Sequence, residues 1–336
     1  MRFSLRLNND LALSAYVALA QAAERAGFDQ FWVSNDLFLR SAPVILSVVA
    51  QATERIEIGT CILNPYTINP SEIAMLAATL DELSGCRFNL GMAAGAADFL
   101  GWVGLAQQHP LAAMRETITA IRALLRGEPC PTDGRFLRWT DAAYLRFPAP
   151  RVTPIYLGAL GPGMLRLAGE LADGVLPLLF PPEHFFGVRP FVEEGMQKRD
   201  PSLPPLDFAA CVWVSLDEDA AAARHELAKK VAYYGHSLSP LILERLGLTQ
   251  ADFAPINHAL HADHDEAKAC QLVDERMLQI GMVGQPADII ARLEPLVNAG
   301  VQHLSFGPPL GPDPLAAVEL LGRAVLPHFR ARPHSD

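Results

Sequence analysis

The sequence predicts an α/β protein of the closed (β/α)8 TIM-barrel class, carrying insertions. Three observations support this. Short apolar runs rich in β-branched residues alternate with helical segments along nearly the whole chain, and eight strands can be read. Residues 55–95 read as strand, loop, helix, strand, loop, a unit that requires a parallel sheet. Alternation repeated over eight strands favours closure into a barrel over an open sheet.

The elements follow in order. Phe3, Leu5 and Leu7 mark the first strand, with Asn8, Asn9 and Asp10 at its carboxyl end. Residues 11–26 form an alanine-rich helix stopped by Gly27, and residues 28–33 the second strand, followed by Ser34, Asn35 and Asp36. A helix over 43–52 leads into the third strand, which carries Ile56, Ile58, Cys61, Ile62 and Leu63. Asn64-Pro65 and Asn69-Pro70 punctuate the next loop, because a residue before proline is pushed out of the helical region. Ser71 and Glu72 open a helix that Gly85 closes, and Phe88, Leu90 and Met92 begin the fourth strand. A long loop over 96–110, a helix over 111–126 and a proline- and glycine-containing excursion over 127–150 come next. Residues 152–157 are the fifth strand, 175–179 the sixth and 208–215 the seventh. A helix over 217–234 precedes residues 236–265, which hold four histidines and little periodicity and read as an insertion. Helices over 266–280 and 286–299, a last strand over 300–306 and a helix over 314–326 complete a single domain spanning 1–330, with a tail at 331–336.

Bulk properties narrow the function. Half of the 336 residues are hydrophobic, which suits buried strands and argues against disorder. The net charge of −10 and the absence of a basic stripe speak against a nucleic-acid partner. No uninterrupted apolar run is long enough for a membrane span, and the start lacks the apolar stretch of a signal peptide. Cys61, Cys86, Cys130, Cys211 and Cys270 are odd in number and form no CxxC pair, the pattern of reduced thiols in a cytoplasmic enzyme.

In barrels, ligands bind beyond the carboxyl ends of the strands. The loops over 60–70 and 93–101 lie there and make Asn64, Ala93 and Gly95 candidate ligand contacts. Gly158, Ala159, Leu160, Gly161, Pro162 and Gly163 open a helix whose first N–H groups and dipole could face a phosphate; an ordinary strand-to-helix turn has the same composition. Asn35 and Asp36 stand where the second strand should end, in catalytic positions or as a helix cap. Arg6 shares parity with Ser4 and Asn8; it is paired or functional if it faces the barrel, and solvated if it faces out. His109 could reach the mouth or sit in the loop. His258, His261 and His264 suit a solvated surface better than a metal site. No serine-hydrolase elbow, Walker loop or Rossmann fingerprint is present.

The segments AERAGFDQFWVSND, RIEIGTCILNPYTINP, LDELSGCRFNLGMAAG, PIYLGALGPGMLRLAGELADGV and IGMVGQPADIIARLEPLVNAGVQHLSFGPPLG resemble the bacterial luciferase-like superfamily, and most closely its coenzyme F420-dependent methylenetetrahydromethanopterin reductase branch. The resemblance covers nearly the whole chain in order. It implies a (β/α)8 barrel, usually a homodimer, with F420 or a flavin at the mouth. It places the ring on a non-proline cis peptide at Cys61-Ile62 and the cofactor phosphate on Gly158 to Pro162. The implied function is hydride transfer between F420 and a small organic substrate. Asp36 would move the proton, Arg6 would neutralise an anionic substrate or ring charge, and Asn35 and His109 would orient. An FMN-dependent monooxygenase fed by a separate flavin reductase is the alternative, and a non-catalytic flavin-binding barrel a third reading. The chain departs from the reductase pattern at several points. Cys61 replaces Gly, Asn35-Asp36 replaces Asp-His, Arg6 replaces Glu, Ala96 replaces Asp and Gly163 replaces Lys.

Overall fold

The computed structural model describes residues 1–130, 132–238 and 240–331. Eight parallel strands form the expected closed barrel: β1 (Arg2–Leu7), β2 (Gln30–Val33), β3 (Glu57–Thr60), β4 (Phe88–Met92), β5 (Ile155–Gly158), β6 (Gly174–Leu176), β7 (Asp207–Leu216) and β8 (His303–Leu310). Each pairs in parallel with the next, β6 with β7 and β8 with β1, so no edge of the eight is left open. Helices α1 (Leu13–Ala26), α2 (Ala42–Ala52), α3 (Pro70–Ser84), α4 (Pro110–Leu125), α5 (Pro162–Leu171) and α6 (Phe185–Met196) surround the first six strands.

The main core lies between the strands and this helical ring. Phe3, Leu5, Phe31, Ile58, Phe88, Leu90, Leu157 and Phe306 point outward into it and are fully buried. The alternate residues point into the barrel, which settles the parity of Arg6: it faces inward and is 7% exposed. The interior is polar at its amino end. Arg2, Tyr156 and His303 gather on the Asp207 carboxylate at 2.7–3.0 Å, while Gln30 and Asn89 bind Glu57. Above this layer Trp32, Tyr156, Leu176, Ala209 and Cys211 fill the barrel. Gly59 makes room for the Trp32 ring, since a Cβ there would lie 2.3 Å from it.

Two local starts and stops have clear causes. The α3 cap is Asn69, whose side chain accepts from the Ser71 N–H, so the helix begins at Pro70, just ahead of the expected Ser71. Gly85 ends it in the left-handed conformation.

The greatest elaboration follows β7. Helix α7 (Ala220–Tyr234), several short helices and an extra strand over Met282–Gly284 precede α8 (Pro286–Asn298). The extra strand pairs with Val214–Leu216, extending the carboxyl end of β7, so the whole excursion from 217 to 285 belongs to one strand-to-helix connection. It is wider than the segment 236–265 picked out by weak periodicity. Its own core, around Phe253, Ile256 and Leu243, packs against Trp213 and Phe180. The region 127–150 contains a small hairpin, Thr132–Asp133 with Arg138–Trp139. Helix α9 (Pro314–Leu320) follows β8. Of the tail, residues 332–336 lie outside the described residues. Among the described residues no helix is long and apolar enough to cross a membrane.

Candidate active site

A cavity of about 750 Å³ opens at the carboxyl ends of the strands. One wall is the bend after β3, where the Cys61–Ile62 peptide is cis, as the resemblance implied. The adjoining wall is the turn after β5. A Cβ on Gly158 would lie 3.2 Å from both the Ile62 Cγ2 and the Ala93 Cβ, so these pieces are in direct contact. The turn delivers the chain into α5 with Gly161 as an N-cap that makes no side-chain capping bond, Pro162 at the start and no acidic residue in the first turn. The N–H groups of Gly163 and Met164 therefore have no intrahelical partner, and both residues line the cavity. Donor geometry and dipole there suit an anion.

All ten residues expected around a cofactor line this cavity: Cys61, Ile62, Asn64, Ala93, Gly95, Gly158, Ala159, Leu160, Gly161 and Pro162. Asn64 is fixed by its own loop, its side-chain oxygen accepting from the N–H groups of Tyr66 and Thr67. Gly95 has φ +73°, and a Cβ there would press on Asn64 at 3.4 Å. Gln107 ties the wall together by donating to the carbonyls of Ala94 and Gly95.

Of the four residues expected to act on substrate, three line the cavity. Asp36 stands at the rim. Crowding by the rim raises its carboxyl above the usual value, while the Ser34 hydroxyl, 3.1 Å away, and the Lys230 ammonium oppose the rise. Asn9 braces the Asp36 backbone at both its N–H and its carbonyl. Asn35 lines the cavity but also accepts from the Ala42 N–H, so it serves as the helix cap at the start of α2, which Ser41 leaves without a side-chain bond. Arg6 occupies the floor: Nε donates to the Ser305 hydroxyl at 3.0 Å and Nη2 to the Val212 carbonyl at 3.0 Å. His109 is the exception. It is the exposed N-cap of α4 in a left-handed conformation, and the cavity is lined by its neighbours Gln107, Pro110 and Leu111 instead.

Further side chains at the mouth carried no sequence signal. Cys211 and Leu176 line the floor, and Cys61, beside them, has its thiol pushed up to about 12 by burial, against the pull of Arg6. Lys230, toward the end of α7, lies beside the cavity without lining it, its ammonium 4.1 Å from the Tyr234 ring centre and 5.2 Å from that of Trp213. Burial lowers Lys230 to about 8, despite the nearby Asp10 and Asp36. In the histidine cluster, His258 lies 3.4 Å from Asp263 on an exposed helix. Among the described residues no three metal-ligating side chains converge.

Fold and cavity together define a class: a (β/α)8 barrel whose mouth joins an apolar slot to the open N-terminus of a helix. Residues 1–303 match the model of the luciferase-like monooxygenases, and the chain belongs to that family. It is 32% identical to a 5,10-methylenetetrahydromethanopterin reductase of Archaeoglobus fulgidus, covering 98% of this chain and 100% of the relative. It is 29% identical to an F420-dependent glucose-6-phosphate dehydrogenase of Nakamurella multipartita, over 93% of this chain and 91% of the relative. The solved structure of the coenzyme F420-dependent tetrahydromethanopterin reductase of Methanopyrus kandleri superposes with a TM-score of 0.89 at 31% identity, covering 98% of this chain and 99% of that one.

Proposed function

We propose that the protein is an F420-dependent oxidoreductase that moves a hydride between the deazaflavin and a small organic substrate. The observation that carries this reading is the contact between the Cys61–Ile62 bend and the Gly158 turn within one cavity. The cavity fits such a cofactor. The Cys61–Ile62 bend, with Ala93 and Gly158 packed beside it, offers an apolar platform for a flat ring, and the N–H groups at the start of α5, which have no intrahelical partner, suit its phosphate. The relatives named above for F420 chemistry support the same choice.

When bound, F420 supplies a carbon that gives or accepts a hydride. The chain's part is positioning and proton control. Cys61, Ile62 and Ala93 hold the ring plane, and the closed floor of Trp32, Tyr156 and Leu176 excludes water from beneath. Asp36, whose raised carboxyl keeps a proton at higher pH than a free aspartate, gives or takes the proton at the substrate heteroatom. One hydride and one proton then account for a two-electron reduction. Arg6 supplies the positive charge of the floor and Asn35 shapes the rim, while His109 has no part in this scheme.

Purified protein titrated separately with F420 and with FMN tests the proposal. Saturable F420 binding with weak FMN binding supports it; FMN binding without F420 binding replaces it with the flavin monooxygenase reading. We also infer a homodimer. Val44 and Val48 on α2 and Met75 and Leu83 on the adjacent α3 are exposed, an apolar face that a second copy would cover. Sedimentation of wild type and Val48→Glu tests this, with a dimer that dissociates as the expected result. The five free cysteines accord with a reducing, cytoplasmic location.

A further inference from the structure

Arg6 lines the mouth with a charge that the cofactor seat at the β3 bend and β5 turn does not pair. It sits at the barrel floor, 7% exposed, and among the described residues no carboxylate pairs with it. A buried guanidinium without a counter-ion is costly, so a site that retains one is built for a ligand that supplies the charge. The socket around it is specific. Gly307 leaves the space it needs, since a Cβ there would lie 2.6 Å from Nη2. Ser305, which accepts from Nε, is held in turn by Ser4 at 2.7 Å; Ser4 meets His303 at 2.8 Å, and His303 meets Asp207 at 3.0 Å. This chain of hydrogen bonds through the barrel fixes the guanidinium, and among the described residues Nη1 makes no hydrogen bond.

The hydrogen bonds of Arg6 run to β7 and β8 rather than to the β3 bend or the β5 turn, although its charge still reaches the Cys61 thiol. On the inward face of β7, Cys211 pairs in register with Ser305 and Trp213 with Gly307, the two residues that Arg6 packs against, and Lys230 lies over Trp213. A second cation, Lys230, therefore stands beside the cavity within electrostatic reach of Arg6 and Asp36, without lining it. Lys230 forms no ion pair among the described residues, although Asp10 and Asp36 are within electrostatic reach.

Resting on the F420 reading, we propose that the substrate of this site carries a carboxylate, which docks on Arg6 and is attracted at longer range by Lys230. A planar carboxylate matches the free edge of the guanidinium fork better than a neutral amide can, and it completes the missing ion pair. Held at that end, the substrate presents its reacting carbon to the ring and its heteroatom to Asp36.

The experiment begins with F420 binding to wild type, Arg6→Met, Arg6→Lys and Lys230→Met, read by the cofactor's absorbance. The loaded proteins are then titrated with matched pairs of short acids and primary amides: pyruvate and pyruvamide, crotonate and crotonamide, benzoate and benzamide. Thermal shift gives a second readout. In wild type at least one acid should bind roughly tenfold or more tighter than its amide. That preference should vanish in Arg6→Met, survive in part in Arg6→Lys and fall in Lys230→Met, with F420 affinity little changed. Equal binding of acids and amides, or no binding by either member of every pair, overturns the proposal. So does an acid preference that persists in Arg6→Met, or a loss of F420 affinity in Arg6→Met as large as the loss of acid affinity. Should Arg6→Met fail to fold, Arg6→Lys and Lys230→Met still decide the outcome. Failure of wild type to bind F420 at all defeats the cofactor reading instead, and is seen before any acid is added.

Discussion

Replacing Gly161 by aspartate should stabilise the protein and abolish tight cofactor binding at once. Gly161 is the N-cap of α5, has an extended backbone (φ −87°, ψ 156°) and makes no capping bond. A Cβ there meets nothing within 4 Å, so aspartate enters without strain. Its carboxylate would accept from the free N–H groups and complement the helix dipole, a gain of roughly 0.5–1 kcal/mol. For a chain of this size that raises the melting temperature by about 1–2 °C. The same carboxylate occupies the donors that the cofactor phosphate needs and repels its charge. Losing two charge-assisted hydrogen bonds at roughly 1.5 kcal/mol each weakens binding by about 3 kcal/mol, or more than a hundredfold. Gly161→Asn caps without the charge, so it should stabilise similarly and cost less affinity. F420 titration and thermal melts of the three proteins measure both quantities. Wild-type affinity in Gly161→Asp would refute the phosphate assignment, and a fall in melting temperature would refute the capping argument.

Further outcomes follow from the same geometry. Asp36→Asn should lower turnover by roughly 10²–10³ while leaving F420 affinity unchanged, checked by steady-state kinetics alongside cofactor titration. For reactions in which Asp36 gives up its proton, the rate should fall with rising pH at a higher value than a free aspartate would give, because its carboxyl is raised; Asp36→Asn should remove that limb of the profile. Asp207→Asn should destabilise the fold by roughly 1–3 kcal/mol, since it removes the carboxylate that Arg2, Tyr156 and His303 share. The His303 and Arg2 charges hold the Asp207 carboxyl below its usual range despite burial. Its contribution is therefore present above the unfolded carboxylate value and lost as pH falls through the lower folded one, and urea melts of the mutant should show a smaller loss of stability in acid. Gly91→Ala should unfold more readily than wild type by roughly 1–3 kcal/mol, because its Cβ would lie 1.8 Å from the Thr60 carbonyl oxygen.

The strands could be read because their outward faces are apolar with period two, and the phosphate turn because glycine and proline at a helix start have a specific backbone use. The parity of Arg6 could not be read. In this barrel the larger core lies outside the sheet, so Phe3, Leu5 and Leu7 face the helices, while the interior that Arg6 enters is itself polar. His109 misled because a histidine before a proline at a helix start looks the same whether its side chain turns to the mouth or to solvent; its left-handed backbone goes with solvent. Lys230 was invisible for a different reason. It lies in an alanine-rich helix with no marked chemistry, and only the pairing of Met282–Gly284 with the end of β7 shows that the excursion carrying it belongs to the mouth. Asn35 shows a bland and a functional reading holding together: it caps α2 and lines the cavity.

A structure of the protein with F420 bound tests the account most directly. It should place a phosphate oxygen on the N–H groups of Gly163 and Met164, with the tricyclic ring flat against the Cys61–Ile62 bend. A cofactor phosphate bound away from the start of α5, or a ring seated elsewhere than against Ile62 and Ala93, would contradict it.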